Sequence, residues 1–135
     1  MALVVTNAGE LLLQTWAIKS TSTPENLTLK LYSNNYTPVA TSSSGDFTES
    51  SFSGYSAKTL TRSSWNDPTT VSTKAEITYA DQTFTASGAG TVYGFYIVGA
   101  TSGTVIWAEK FASARTLASG DTLTVSPKIT AASEN

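Results

Sequence analysis

The sequence predicts an all-β fold, an antiparallel β-sandwich of jelly-roll-like type with one short N-terminal helix. About eight short strand-like segments lie at regular spacing between turn residues, which is typical of sandwiches and jelly rolls. Ser and Thr make up roughly a third of the chain, and the β-branched Thr suits the exposed face of a pleated sheet. No helical segments alternate with the strands, so a parallel α/β sheet is not expected.

The length of 135 residues is sufficient for one domain with its own core. We therefore expect residues 1–135 to form a single β-sandwich domain. Residues 1–6 are apolar but precede the helix, and we interpret them as a possible arm that pairs with a neighbouring strand edge. Residues 7–19 are predicted to be the helix, and residues 27–130 to hold the strands.

The predicted helix begins at Asn7, a favourable N-cap residue, and Glu10 follows three residues later as in a capping box. Leu12 and Trp16 are four residues apart and share one helical face. Leu11 lies off that face, which predicts that the helix makes contacts on more than one side.

The strands follow from alternation and from turn residues. In the first one Leu27, Leu29 and Leu31 occupy one face, and polar residues or Tyr32 the other. Residues 41–46 and 63–70 are interpreted as loops. The predicted strands are Leu27–Tyr32, Tyr55–Thr61, Ala75–Tyr79, Thr83–Ala86, Thr91–Val98, Thr104–Phe111 and Asp121–Ser126, with a short apolar tail at Ile129.

The segments Thr91–Val98 and Thr104–Phe111 are apolar on both faces, unlike a strand with one face in water. One face can meet the opposite sheet, and the other requires the helix or a neighbouring molecule. This pattern favours a homo-oligomer, and the alternative is a deeply buried central strand in a monomer. The candidate subunit or capsid interface consists of Leu3, Val4, Val5, Leu11, Leu12, Trp16, Tyr93 and Tyr96.

Charge and hydropathy argue against two classes of partner. The net charge is −2, from eight basic and ten acidic residues, and no basic stripe is present to bind the phosphates of nucleic acid. No apolar run approaches the roughly 20 residues of a membrane-spanning helix. The first residues lack the basic start and long apolar segment of a signal peptide, so none is expected.

The chain contains no His and no Cys. A Ser-His-Asp triad, a Cys nucleophile and thiolate or imidazole metal ligands are therefore not expected. Asp46 and Glu49 are a possible carboxylate pair, but we interpret them as solvated loop charges. Calcium could be bound by these two residues or by Asp67, but no loop of the chain has the residue spacing of an EF-hand. We expect no catalytic residue, no cofactor and no metal site, and thus a protein that is not an enzyme.

The three tryptophans, Trp16, Trp65 and Trp107, are candidates for a sugar-stacking platform. Trp107 is expected in the core because it lies in a strand beside Val105. Trp16 lies on the apolar helix face and is expected in the core or a subunit interface. Trp65 lies in a predicted loop, where it either caps the end of the sandwich or is exposed to contact a partner.

Several segments resemble the head decoration, or cement, proteins of tailed bacteriophages, and the resemblance extends from Asn7 to Pro127. The segments are Leu27–Asn35, Asp46–Tyr55, Gly94–Val98, Val105–Phe111 and Gly120–Pro127. The resemblance implies a β-sandwich or jelly-roll module that binds the outer surface of the capsid, often as a trimer. Such a protein would clamp neighbouring major capsid proteins, be made in the host cytoplasm and be located in the virion.

Two other functions remain open at this stage. One is a tail, fibre or baseplate component of a phage particle, which would use the same architecture. The other is a carbohydrate-binding β-sandwich module. A plane shared by an exposed Trp65 with Tyr36 or Tyr55 would favour the carbohydrate-binding module.

Overall fold

A computed structural model describes residues 3–131 of the chain. An N-terminal helix, α1 (Asn7–Gln14), continues into a π-helical turn, Thr15–Lys19, and β-strands dominate the rest. Short 3₁₀ turns lie at Ser44–Asp46 and Arg62–Ser64. The strands are β1 (Val4–Val5), β2 (Leu27–Tyr32), β3 (Lys58–Leu60), β4 (Thr69–Val71), β5 (Lys74–Thr78), β6 (Gln82–Thr85), β7 (Gly90–Gly99), β8 (Val105–Leu117), β9 (Thr122–Val125) and β10 (Lys128–Ala131).

The strands form two antiparallel layers, which confirms the predicted all-β class. One layer is a five-stranded sheet with the order β1-β8-β7-β2-β3. The other consists of β10-β5-β4 and the pair β6-β9. Residues from both layers, among them Leu29, Ile97, Phe84 and Leu123, belong to one buried cluster. The layers therefore pack face to face as in a sandwich.

The β5-β10 and β6-β9 pairs lie end to end, with a break at Pro127. Thr78 pairs with Lys128 and Gln82 pairs with Val125, so one side holds an extra residue, as in a β-bulge. Pro127 has no N–H to donate to the ladder. Its carbonyl still accepts a hydrogen bond of 2.9 Å from the Tyr79 N–H.

The core between the layers depends on the alternation seen in the sequence. Leu27, Leu29 and Leu31 all point into it, as predicted, and Trp107 is only 1% exposed. The buried residues of this cluster are Leu27, Leu29, Leu31, Phe52, Leu60, Phe84, Ala86, Val92, Phe95, Ile97, Ile106, Trp107, Leu117, Leu123 and Val125.

Two predicted details of the N-terminus were wrong. The N-cap is Thr6 and not Asn7, because the Thr6 hydroxyl accepts a hydrogen bond of 2.9 Å from the Gly9 N–H. The backbone N–H of Thr6 donates to the Ile106 carbonyl (3.0 Å), which holds the residue at the edge of β8. With Gly9 at the third helical position, Glu10 does not complete a capping box. The predicted extent of the helix, residues 7–19, is confirmed if the π-helical turn is included.

Residues 4–5 were interpreted as part of an arm for a neighbouring molecule, but they form β1 within the chain. Val4 pairs with Ala108 and Val5 with Trp107, both in β8. Met1 and Ala2 lie outside the described residues. The contact with β8 supplies the backbone partners that an isolated arm would have sought elsewhere.

Three strands also differ from the prediction. β3 begins only at Lys58, and β8 continues to Leu117, beyond the predicted end at Phe111. β4, Thr69–Val71, lies partly in a segment that was predicted to be a loop. All three of its residues are exposed, so the strand has no buried face and no apolar alternation to reveal it.

The outer face of the five-stranded sheet is covered by the loop between β2 and β3. Phe47 of this loop stacks on Tyr96 of β7, with ring centroids 4.6 Å apart and planes 8° apart. Tyr32 and Tyr36 each contact Phe47 edge-on, at 5.1 and 5.2 Å. We call this group, with the buried Val98, Val105 and Ala108, the outer cluster. It buries the second apolar face of β7 within the chain.

No helix in the described part of the chain has the length and apolar character needed to span a membrane.

Replacing Gly9 with Ala is expected to destabilise the fold, although inside an ordinary helix this change stabilises by about 1 kcal/mol. A Cβ atom at position 9 would lie 2.6 Å from the Cα of Ile106, so the helix would have to move away from β8. We expect Gly9→Ala to lower the free energy of unfolding by about 1–3 kcal/mol in urea denaturation.

Gly45→Ala is the matched control, because a Cβ atom there would come no closer than 3.8 Å to Ser43 Oγ. It should change the free energy of unfolding by less than about 0.5 kcal/mol. A Gly9→Ala protein as stable as the unsubstituted chain would contradict the close packing of α1 on β8.

Candidate functional site

The two carboxylates that were considered as a pair serve separate structural roles. Glu49 accepts hydrogen bonds from the Lys30 ammonium (2.9 Å) and the Tyr55 hydroxyl (3.0 Å). Asp46 is exposed and closes the 3₁₀ turn by accepting from the backbone N–H of Ser43 (2.7 Å). The interpretation as solvated loop charges therefore holds for Asp46 but was wrong for Glu49, which ties the covering loop to β2.

Within residues 3–131, no three His, Cys, Asp or Glu side chains lie together in a group that could hold a metal ion. Asp67, the third residue considered for calcium, is exposed.

Three tyrosines around the outer cluster and the core have raised pKa values. Burial raises the pKa of Tyr96 to about 12, and the negative charge of Glu49 adds to the effect. Burial is also the main reason why the pKa of Tyr32 and that of Tyr55 lie well above the ordinary value of 10.0. All three hydroxyls therefore stay protonated at neutral pH.

An apolar groove lies at one end of the sandwich, between α1, the start of β2 and the second layer. It has a volume of about 380 Å³, at the lower end of the range for ligand-binding pockets. We call it the tryptophan groove, because all three tryptophans of the chain line it. Its lining residues are Leu13, Trp16, Ala17, Pro24, Glu25, Leu27, Arg62, Trp65, Ile77, Trp107 and Ile129.

Aromatic contacts hold the wall of the groove in place. Trp65 packs edge-on against Tyr79 at 5.1 Å and against Trp107 at 6.1 Å between ring centroids. The Tyr79 hydroxyl accepts a hydrogen bond of 3.1 Å from the Thr61 N–H, which fixes the segment before Trp65. Trp65 is thus half-buried at the end of the sandwich, so it caps the core and also borders the opening.

One of the residues that line the groove, Trp107, has an unsatisfied hydrogen-bond donor. The Trp107 Nε1–H is buried and has no hydrogen-bond acceptor among the described residues. Most buried polar groups in native proteins are paired, so such a group calls for a specific explanation. The ring of Trp107 therefore lines the groove, while its indole N–H forms no hydrogen bond with the described residues.

Two charged residues contribute to the otherwise apolar groove. Burial alone would raise the pKa of Glu25, but hydrogen bonds from Ser102 and Thr101 outweigh this effect and lower the pKa. The Glu25 carboxylate accepts from the Ser102 N–H at 2.9 Å and also from the Thr101 N–H. It is therefore ionised and fixed at neutral pH. The Arg62 guanidinium forms none of the salt bridges found within residues 3–131.

The predicted interface residues occupy three kinds of position. Tyr96 is only 3% exposed beneath Phe47, so its assignment to an interface was wrong. Leu11 is 66% exposed on α1 and remains free to contact a partner. The half-buried residues are Leu3, Val4, Val5, Leu12, Trp16 and Tyr93, and of these Tyr93 packs against the outer cluster.

Ile18 is the residue that the sequence analysis missed. It lies in the π-helical turn and is 83% exposed, more than Leu11, Val39 or Val71. The sequence contained a signal for it, since Leu11 and Ile18 are seven residues apart and a regular α-helix over residues 7–19 would place them on the same side. The predicted interface included Leu11 from that side of the helix but not Ile18.

The plane of Trp65 with Tyr36 or Tyr55 is not formed. Tyr36 belongs to the outer cluster, whereas Tyr55 stacks on Phe84 with ring centroids 5.9 Å apart. Trp65 instead meets Trp107 in the groove. The surface that combines aromatic residues is therefore a cleft and not a flat platform.

Stability is expected to fall at alkaline pH as the three tyrosines are forced to ionise. Their pKa values are higher in the folded state than in the unfolded state, so their contribution is complete below about pH 10. It is lost as the pH rises through the folded-state values, which begin near 12 with Tyr96. Tyrosinate absorbance and circular dichroism measured together should show these groups ionising as the protein unfolds.

Tyr96→Phe is the matched variant, since it keeps the ring that stacks on Phe47 and removes the ionisable hydroxyl. The alkaline transition of this variant should move to higher pH. Titration of all tyrosines near pH 10 in the folded protein would contradict the burial of these hydroxyls.

No protein-family model matches the sequence, and no curated protein matches it at a significant level.

Proposed function

We propose that this chain is a decoration protein of a tailed-bacteriophage head. It binds the outer surface of the capsid and stabilises the contacts between major capsid proteins, without a chemical step. The proposal rests on the resemblance of five sequence segments to such proteins and on the surface features of the sandwich. The protein is made in the host cytoplasm and is located in the virion, as a homo-oligomer that we expect to be a trimer.

The observation that carries the proposal is an open apolar groove on a sandwich whose own core is closed. The core between the layers and the outer cluster both consist of residues with little exposure. The tryptophan groove remains open, and the helical segment that lines it also carries the exposed Leu11 and Ile18. An open apolar groove together with exposed apolar side chains is typical of an interaction site.

Such a decoration protein stabilises the capsid through the apolar area that each contact buries and through the number of contacts that it makes. Each bridge between capsid subunits buries apolar surface, which contributes about 25 cal/mol per Å² before the costs of ordering. An oligomer that binds several sites at once gains further affinity through effective concentration. The net charge of only −2 favours apolar and backbone contacts over ion pairs.

The test is to mix the purified protein with undecorated heads of the phage whose genome encodes it. Electron microscopy should show added density on the outer surface of the head where capsomers meet, and decorated heads should resist heating better than undecorated ones. Occupancy should persist when NaCl is raised from about 0.1 M to about 0.5 M, because screening weakens mainly ion pairs.

Heads that acquire no density and no thermal resistance would overturn the proposal. Density on the tail, fibre or baseplate would assign the chain to one of those structures instead.

A carbohydrate-binding module is the second candidate, and one observation favours it. Three tryptophans converge on one groove that also contains Glu25 and Arg62. Aromatic rings and a few polar groups are what a sugar-binding cleft uses. Binding to a glycan array that is lost in Trp65→Ala would support this function, and an array without signal would remove it.

A further inference from the structure

We infer that the tryptophan groove receives Ile18 of a second copy of this chain, so that copies associate through the end of the helix. This inference deepens the proposed function by naming the surface that forms its oligomer. Ile18 is 83% exposed and directly follows Ala17, which lines the groove. The chain therefore presents an apolar projection next to an apolar cleft, and such a surface is complementary to another copy of itself.

The projection is held in a defined conformation. The π-helical turn Thr15–Lys19 is closed by a hydrogen bond of 2.7 Å from the Ser20 N–H to the Thr15 carbonyl. Ser20 has a φ of 53°, a left-handed conformation that ends the helix there. Trp16, one turn before this end, is half-buried and packs against the core. Ile18 is thus carried on an anchored turn, and little ordering is needed when it binds.

The π-helical turn itself fits this role. Such turns are rare and occur mostly as single turns within α-helices, frequently at functional sites. Here the turn contains Trp16 and Ala17, which line the groove, and also Ile18, which faces outward. The same turn therefore carries the residue that inserts and two of the residues that line the receiving groove.

Charge complementarity supports a second copy as the occupant. Lys19 follows Ile18, and its ammonium forms none of the salt bridges found in the described part of the chain. Insertion of Ile18 brings Lys19 of one copy towards the rim of the other groove, where the Glu25 carboxylate is ionised and fixed. Apolar insertion therefore supplies most of the affinity, and the Lys19–Glu25 pair sets the orientation.

The test uses the full chain in analytical ultracentrifugation up to about 100 μM, a range that detects weak association. We expect a reversible dimer or trimer that Ile18→Ser weakens at least about tenfold. Ile18 is 83% exposed, so this variant should fold normally. Val71→Ser is the matched control, because Val71 is 50% exposed and lies on β4, outside the groove. It should associate as the unsubstituted chain does.

Tryptophan fluorescence gives a second readout that is specific to the groove. Because the half-buried Trp16 and Trp65 line it, association should shift their emission to shorter wavelength and protect them from acrylamide as the concentration rises, whereas Trp107 is already buried and should not respond. Ile18→Ser should keep the emission of the dilute protein at every concentration, and Val71→Ser should follow the unsubstituted chain.

A chain that stays monomeric throughout, or an oligomer that is unchanged by Ile18→Ser, would overturn the inference. So would an oligomer whose tryptophan emission does not change with concentration. These outcomes are distinguishable from failure of the proposed function. Monomers that still decorate heads would overturn the groove contact alone, and oligomers that depend on Ile18 but bind no head would overturn the decoration role alone.

Discussion

The close packing of α1 on β8 determines where the end of the helix and the tryptophan groove lie on the surface of this protein. The backbone of α1 approaches that of β8 at Gly9, where any side chain would collide with Ile106. Thr6 fixes the start of the helix, since its hydroxyl donates to the Val105 carbonyl and accepts from the Gly9 N–H. Because a helix is rigid, this anchor also determines where its other end lies.

The other end of the helix carries Trp16 and Ala17, which line the groove together with Trp107 of β8 and Trp65 of a distant loop. The groove is therefore a product of the same contact that secures the N-terminus. It also means that residues 3–6 belong to the folded domain, since β1 and Thr6 supply part of the anchor. A segment with this role is poorly suited to serve as an independent arm.

The apolar outer face of β7 is covered by a loop of the same chain, whereas the sequence pattern had favoured a subunit interface there. The covering loop brings Phe47 onto Tyr96 and is tied to β2 by Glu49, which binds both Lys30 and Tyr55. A two-sided strand therefore does not by itself require a second molecule. The case for self-association moves from the sheet to the end of the helix, where Ile18 and the groove are still uncovered.

The features predicted correctly from the sequence are those with a local signal. Alternation located Leu27–Tyr32 with its bounds, and the helix over residues 7–19 followed from its apolar spacing. The covering loop and the groove had no such signal, because each depends on contacts between residues far apart in the chain. Trp16, Trp65 and Trp107 come from a helix, a loop and a strand, and only the topology brings them together.

The small size of the inferred contact fits the proposed role on the surface of a capsid. One isoleucine in a groove buries far less area than the roughly 1,200–2,000 Å² of a stable protein–protein interface. We therefore expect copies to associate weakly in solution and to complete the proposed oligomer where they bind. Once neighbouring copies are held on a shell, the same contact becomes intramolecular in effect, and its high effective concentration makes occupation of adjacent sites cooperative. In the proposed decoration role, a weak apolar contact beside a closed core would thus confine strong association to the capsid surface.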